Sequence, residues 1–297
     1  MEKRSALYAL LVFGSLLALC FVFLYFLFSA LEQKGEQGWG NGTGPHIGVV
    51  ELTGTITDSK DVIGQLHELR KDDSIKAIVL RIDSPGGAVA PSQEMYRAVM
   101  RAKKDKKVVC SMGTVAASGG FYVASACDKI YASPGTITGS IGVISEFPHV
   151  NELMALAKVD VDTIKSAPMK DAGSPLRAMT DGERKFFQGF VDSVYEQFLD
   201  DVAAARKIPK ETLRPIADGR ILTGKQALEH KLIDELGNLE DAIDGAAKLA
   251  GASGEPVPVF EKKPRSSMIG EILRGAVHGA FESAAPRGSI EVRDPRL

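Results

Sequence analysis

The chain has 297 residues, 44% of them hydrophobic, which allows one large domain or two small ones around a buried core. Lys and Arg number 36 against 38 Asp and Glu, and no basic block interleaves with aromatics, which argues against a nucleic-acid partner. The 3 cysteines and 5 histidines form no cluster with metal-ligand spacing, so no metal and no cofactor is expected.

Residues Ala6 to Leu31 are almost wholly apolar and follow Lys3 and Arg4. About 20 apolar residues cross a bilayer, so an N-terminal transmembrane helix is expected over residues 1–31. A cleaved signal peptide has a shorter apolar core and a small-residue cleavage site. Phe28-Ser29-Ala30 is a poor one, and bulky Leu19 before Cys20 speaks against lipoprotein processing. The expectation is an uncleaved signal anchor in the inner (cytoplasmic) membrane, with the basic end inside and everything after Leu31 on the extracytoplasmic side. Glu32 to Pro45 is glycine-rich and polar, and residues 32–45 read as a flexible linker.

A strand is expected over His46 to Val50 and an amphipathic helix over Ser59 to Arg70, where Val62, Ile63, Leu66 and Leu69 share a face. Ala77 to Ile82 reads as a buried strand that ends in the turn Asp83-Ser84-Pro85-Gly86-Gly87, followed by a helix over Gln93 to Lys104. Val108 to Met112 is the next strand. Small residues follow it, then Ser118 between Ala117 and Gly119-Gly120, then a helical stretch Phe121 to Cys127 and a strand Lys129 to Ala132. Strands alternating with helices predict an α/β fold with mostly parallel strands, whose ligands gather at the carboxyl ends of the strands. Both glycine-rich turns fall on that rim and can build one site. A serine exposed between a strand and a helix start can act as a nucleophile, with the N–H of Gly119 facing an oxyanion and that of Gly87 or Gly86 as second donor. The same residues also suit a tight helix start with Ser118 as N-cap, and an ordinary Pro-Gly turn.

Gly135 to Gly142 is a small-residue segment suited to lining a cleft; a helix around Asn151 to Lys158 and a strand Asp162 to Lys165 follow, then a loop from Ser166 to Pro175. A long helix is expected over Asp181 to Lys207, with Phe186, Phe187, Phe190, Val194, Phe198 and Leu199 on one face as core or subunit interface. A short strand, helix and turn from Ala217 to Gly237 and a closing helix Leu239 to Ala250 complete a domain over residues 46–251. In the tail, residues 252–297, Met268 to Phe281 repeats at helical spacing, for a helix on a membrane, a neighbouring subunit or its own domain. Cys110 and Cys127 fall in apolar patterns and read as buried thiols, with a disulfide between them left open.

Ser118 needs a base. No histidine falls in a small-residue rim segment: His46, His67, His149, His230 and His278 lie in strand, helix or loop patterns elsewhere. A lysine serves where burial disfavours its charge. Lys170, among Ala167, Pro168, Met169, Ala172 and Gly173, and Lys165, at a strand end, both stand as candidates.

Taken together, Ser84-Pro85-Gly86-Gly87, Ala116-Ala117-Ser118-Gly119-Gly120, Ile137-Thr138-Gly139-Ser140-Ile141-Gly142 and Lys165 through Lys170-Asp171 to Ser174-Pro175 resemble the signal peptide peptidase A (protease IV) family, over about Gly48 to Ala250. The resemblance implies a crotonase/Clp-protease-like fold. It also implies Ser118 as nucleophile, Lys170 as general base, Gly87 and Gly119 as oxyanion hole, and Ser140 positioning the lysine amine. It further implies a membrane-anchored serine endopeptidase that degrades cleaved signal peptides in the membrane. Longer members of that family carry two copies of the domain, with the lysine in one and the serine in the other. One copy is present here, which implies a homo-oligomeric ring, an octamer, that completes each substrate groove. Two other readings stand beside it: an acyl-CoA hydratase or isomerase of the same fold, which needs carboxylates beside the oxyanion hole, and a non-catalytic scaffold, which has no use for Ser118 and Lys170.

Overall fold

A computed structural model describes residues 42–260. Parallel strands covered on both faces read as nearly continuous apolar runs. The three central strands do: β1 (His46–Thr53), β2 (Ile75–Ser84) and β3 (Lys107–Ala117). They pair in parallel, Val49 beside Val79 and Val79 beside Val109. The remaining strands are β4 (Lys129–Ala132), β5 (Ile137–Gly139), β6 (Ile221–Thr223), β7 (Glu235–Leu236) and β8 (Val257–Phe260). The sheet order is β6-β5-β3-β2-β1-β8, with β4 between β3 and β7. The long strand β3 is shared along its length: Val109 to Met112 pair with β4, and Val115 to Ala117 pair with β5.

The helices are α1 (Lys60–Lys71), α2 (Val89–Ala102), α3 (Gly119–Ser125), α4 (Asn151–Leu156), α5 (Asp181–Arg206), α6 (Lys210–Leu213), α7 (Gly224–Glu229) and α8 (Leu239–Leu249). Alternate strand residues face opposite sides of a sheet. On one side Val50, Ile78, Leu80, Val108 and Cys110 pack with Leu66 and Leu69 of α1, Met95 and Val99 of α2, and Phe121 of α3. On the other, Ile47, Val49, Ala77, Val79 and Val109 pack with Ile243, Ala246 and Ala247 of α8. Phe121 lies directly behind the Ser118 turn and is fully buried. Phe121→Ala should therefore lower the unfolding free energy by about 3–5 kcal/mol, seen as an earlier urea midpoint at constant slope. Phe190→Ala, at a side chain 58% exposed, should change it by less than about 0.5 kcal/mol.

Several expectations shift. β3 runs on to Ala117, α2 starts at Val89 rather than Gln93, and the small-residue segment contains a strand, β5. No strand forms at Asp162 to Lys165, where every residue is exposed and no neighbouring strand is offered. The apolar face of α5 divides: Phe198 and Leu199 are buried, whereas Phe186 and Phe190 point to solvent. β8 forms in the expected tail, residues 252–297, and the expected helix Met268 to Phe281 lies outside the described residues. Cys110 and Cys127 are buried and unbridged.

The expectation of a membrane protein is corrected. The expected transmembrane span, Ala6 to Leu31, lies outside the described residues, and among the described residues no helix is long and apolar enough to cross a membrane. The longest, α5, has 26 residues and carries Asp181, Glu183, Arg184, Lys185, Asp192, Glu196, Asp200, Asp201 and Arg206. Charges on that scale are too costly in a bilayer core. The fold of the described residues is thus α/β, with no transmembrane helix among them. Membrane anchoring, the membrane as partner, the inner-membrane location and signal-peptide degradation within the membrane lose their support.

Candidate active site

The backbone of β3 ends in a turn that few residues other than glycine adopt: Ser118 has φ 52° and ψ −120°. Two hydrogen bonds fix it there. Its N–H donates to the Gly139 carbonyl at 2.9 Å, and its carbonyl accepts from the Tyr122 N–H at 2.8 Å. The side chain is half-buried and does not cap α3. The N-cap reading therefore does not account for this serine.

The turn after β2 lies against it. A Cβ built on Gly86 would lie 2.7 Å from the Gly119 nitrogen and 2.8 Å from the Ser118 Cβ. The Gly86 carbonyl accepts from the Ile56 N–H at 2.9 Å, and its own N–H donates to Ser84 Oγ at 3.1 Å. Gly86 is thus already engaged, whereas the N–H groups of Gly87 and Gly119 have no acceptor among the described residues. Those two glycines adjoin: a Cβ on Gly119 would lie 3.4 Å from the Gly87 nitrogen. Gly119 also opens α3, where unpaired N–H groups give a partial positive charge.

Gly87, Ser118, Gly119 and Ser140 line one cavity of about 310 Å³. Ser140 has φ 51° and donates its N–H to the Arg220 carbonyl at 2.8 Å. The other walls were not read from sequence as part of a site: Val89, Ser92 and Gln93 of α2, Tyr122 of α3, Val143 and Ile144, and Val194 and Phe198 of α5, the last two expected as core or subunit interface. Val194 and Phe198 are four apart on the helical stripe, which was the available signal. The Tyr122 hydroxyl donates to Asp201, and burial followed by that carboxylate pushes its pKa up, so it stays protonated. Asp218, the one carboxylate lining the cavity, is held by Arg220 through Nε at 2.7 Å and Nη2 at 2.5 Å. A larger cavity of about 840 Å³ is lined by Gly42 to Gly44, Ser253 to Pro258 and part of α8. Among the described residues its lining has no lysine, histidine or cysteine.

Neither candidate lysine lines the cavity around Ser118. Lys170 is exposed on a single 3-10 turn, Pro168–Asp171, and has no ion pair among the described residues. Lys165 is engaged, its Nζ 2.6 Å from Asp171 Oδ1 and donating to the Pro168 carbonyl at 3.1 Å.

Comparison with known proteins decides the family. The model for peptidase family S49 matches residues 100–253, and that for Clp protease matches residues 48–138. A protein of Synechocystis sp. provisionally named a protease is 42% identical over 213 residues, 71% of this chain and 76% of that one. This chain belongs to peptidase family S49. A protein of Enterococcus faecium provisionally named signal peptide peptidase SppA is 36% identical over 231 residues, 73% of this chain and 66% of that one. Protease 4 of Salmonella typhi is 34% identical over 254 residues, which are 82% of this chain and 41% of that protein. Family S49 membership makes the chain a serine peptidase of the protease IV kind.

Proposed function

We propose that this peptidase hydrolyses extended peptides by a Ser118–Lys170 dyad, and that Lys170 reaches Ser118 from a second copy of the chain. The observation that carries the reading is the divided site: nucleophile turn and paired free N–H groups share one cavity, while the lysine stands exposed outside it. The segment bearing Lys170 is exposed along its length. Ile164 is 100% exposed, Ile144 83% and Leu156 82%, and Phe186 and Phe190 of α5 are exposed as well. Large apolar side chains left exposed in that number mark an interaction face. A second copy laid on it buries these side chains and carries Lys170 to a neighbouring cavity. Burial there disfavours the ammonium and makes the amine a base.

The chemistry follows from these positions. A substrate strand lies along the rim with its side chain in the cavity walled by Val194, Phe198 and Tyr122, which favours an apolar residue before the cut bond. The Lys170 amine, steadied by the Ser140 hydroxyl, takes the Ser118 proton as Oγ attacks the carbonyl carbon. Negative charge moves to the carbonyl oxygen, where the N–H groups of Gly87 and Gly119 hold it. The C–N bond breaks, the leaving amine takes the proton from Lys170, and water repeats the sequence on the acyl-enzyme. Hydratase chemistry finds less support, because Asp218, the only lining carboxylate among the described residues, is committed to Arg220.

The test is complementation with full-length chains on a fluorogenic peptide with leucine before the cut. Ser118→Ala and Lys170→Ala should each be inactive alone. Mixed and reassembled, they should recover about a quarter of wild-type activity, the share of junctions that pair an intact serine with an intact lysine. An active Lys170→Ala removes Lys170 as base. Co-assembly without recovery removes the shared dyad.

A further inference from the structure

The Lys170 turn is held by a chain of four charged groups. Asp171, the next residue, accepts from Lys165 Nζ at 2.6 Å through Oδ1 and from Arg177 Nε at 2.9 Å through Oδ2. Arg177 then forks to Glu183 in the first turn of α5, with Nη1 2.9 Å from Oε2 and Nη2 on Oε1. Glu183 is buried, 3% exposed, and closes the capping box of α5 with Thr180. One network therefore ties the segment before the turn, the turn and the start of α5 together. Lys170 alone among these charged groups takes no part in it.

We infer that Arg177 and Lys165 are positioning residues that occupy both oxygens of Asp171, so that the carboxylate adjoining Lys170 cannot capture its amine. The inference rests on the reading of Lys170 as the base. A carboxylate within about 4–6 Å favours a protonated lysine, and a lysine held in that state cannot take the serine proton. Asp171 is the carboxylate next to Lys170 in the chain, and its acceptors are filled by two other cations. The cavity that Lys170 would enter repeats the arrangement. Its one carboxylate, Asp218, has both oxygens on Arg220. On both sides of the proposed junction an arginine thus covers the carboxylate that the amine would meet.

The remaining charged groups fit. Arg177, then Lys165, hold Asp171 well below the usual carboxylate range; Arg177, then the Thr180 N–H, hold Glu183 at about 2; Arg220 holds Asp218 at about 2. All three carboxylates stay ionised throughout a neutral-to-alkaline assay. His149 also touches the network, its Nδ1 3.1 Å from the Arg177 carbonyl.

The experiment is the pH dependence of kcat/KM for the assembled full-length enzyme on the leucine peptide, from pH 6 to 10. The wild-type rate should rise along an alkaline limb. Arg177→Gln should move that midpoint up by about one pH unit and cut kcat/KM at pH 7 about tenfold, and Arg177→Lys should restore part of it. Asp171→Asn added to Arg177→Gln should bring the midpoint back, because the capturing carboxylate is gone. Arg177 also neutralises buried Glu183, so Lys165→Gln serves as a second probe that leaves the Glu183 contact intact. It should raise the midpoint by a smaller amount, and His149→Gln should leave it in place. A purely structural network would lower the rate at every pH without moving the midpoint, and Asp171→Asn would then deepen the loss. Unmoved midpoints in both Arg177→Gln and Lys165→Gln overturn the inference. Failure of the underlying reading is distinct, since it shows as an active Lys170→Ala.

Discussion

Ser118→Ala should leave a folded, assembled protein that hydrolyses peptide about 10⁴- to 10⁶-fold more slowly than wild type, the residue coming from substrate binding and the oxyanion site. The substitution removes one oxygen that makes no hydrogen bond holding the fold: the turn is fixed by the Ser118 main chain to Gly139 and Tyr122. Alanine keeps the Cβ and with it the strain of φ 52°, so thermal stability should hardly move. Ser118→Gly separates strain from chemistry. It should be equally inactive, yet more stable by about 1 kcal/mol, because relief of about 1–3 kcal/mol of strain outweighs about 0.5–1 kcal/mol of added backbone entropy. Peptidase activity and urea midpoints on the same preparations check both. Substantial turnover by Ser118→Ala would move the nucleophile elsewhere, and an unchanged midpoint in Ser118→Gly would mean that the turn stores no strain.

Legibility in the sequence follows how local each cause is. The turns after β2 and β3 could be read because glycine leaves few alternatives: Gly86 and Gly87 have φ of 100° and 155°, and a side chain on either would run into main chain. Their meeting at one rim follows from parallel pairing of adjacent strands, itself readable from the apolar runs. β5 escaped notice because Ile137 to Gly139 is three residues long and owes its strand form to the end of β3 beside it, a partner distant in sequence. The strand expected at Asp162 to Lys165 fails for the converse reason. Ile164 is its one large apolar residue and stays exposed, and among the described residues no strand pairs with it. The stripe on α5 was legible as an apolar face, but not where it divides. Phe198 and Leu199 reach the core and Phe186 and Phe190 do not, a distinction set by where the helix leaves the body of the domain. Arg177 gave no signal at all. Six residues separate it from each carboxylate it joins, and a loop with no period sets that distance.

Gly86→Ala should reduce kcat by about 10²- to 10³-fold while Ser118, Lys170 and the cavity walls keep their identities, the scale expected for loss of one oxyanion donor. Gly86 is placed against the Ser118 turn by the contact of its carbonyl with Ile56 and of its N–H with Ser84. At φ 100° an alanine is strained wherever it sits, at a cost of about 1–3 kcal/mol. Here its methyl also meets the Gly119 nitrogen at 2.7 Å, the Ser118 Cβ at 2.8 Å and the Ala117 carbonyl at 2.9 Å. None of these is the flexible end of a side chain, so the two turns must separate. That displacement falls on the Gly119 N–H and on Ser118 Oγ together, where a shift of about 1 Å costs on the order of a hundredfold in rate. Gly54→Ala gives the comparison. Gly54 has φ 71° and open space around its missing side chain, so alanine there should bring backbone strain with no displacement of the site. Gly86→Ala should lose more stability than Gly54→Ala by urea denaturation, since it adds the clashes to the strain, and the two should differ by two orders of magnitude or so in kcat. Equal activity would mean that the approach of the two glycine turns has no part in catalysis, and the oxyanion site would have to be sought away from Gly87 and Gly119.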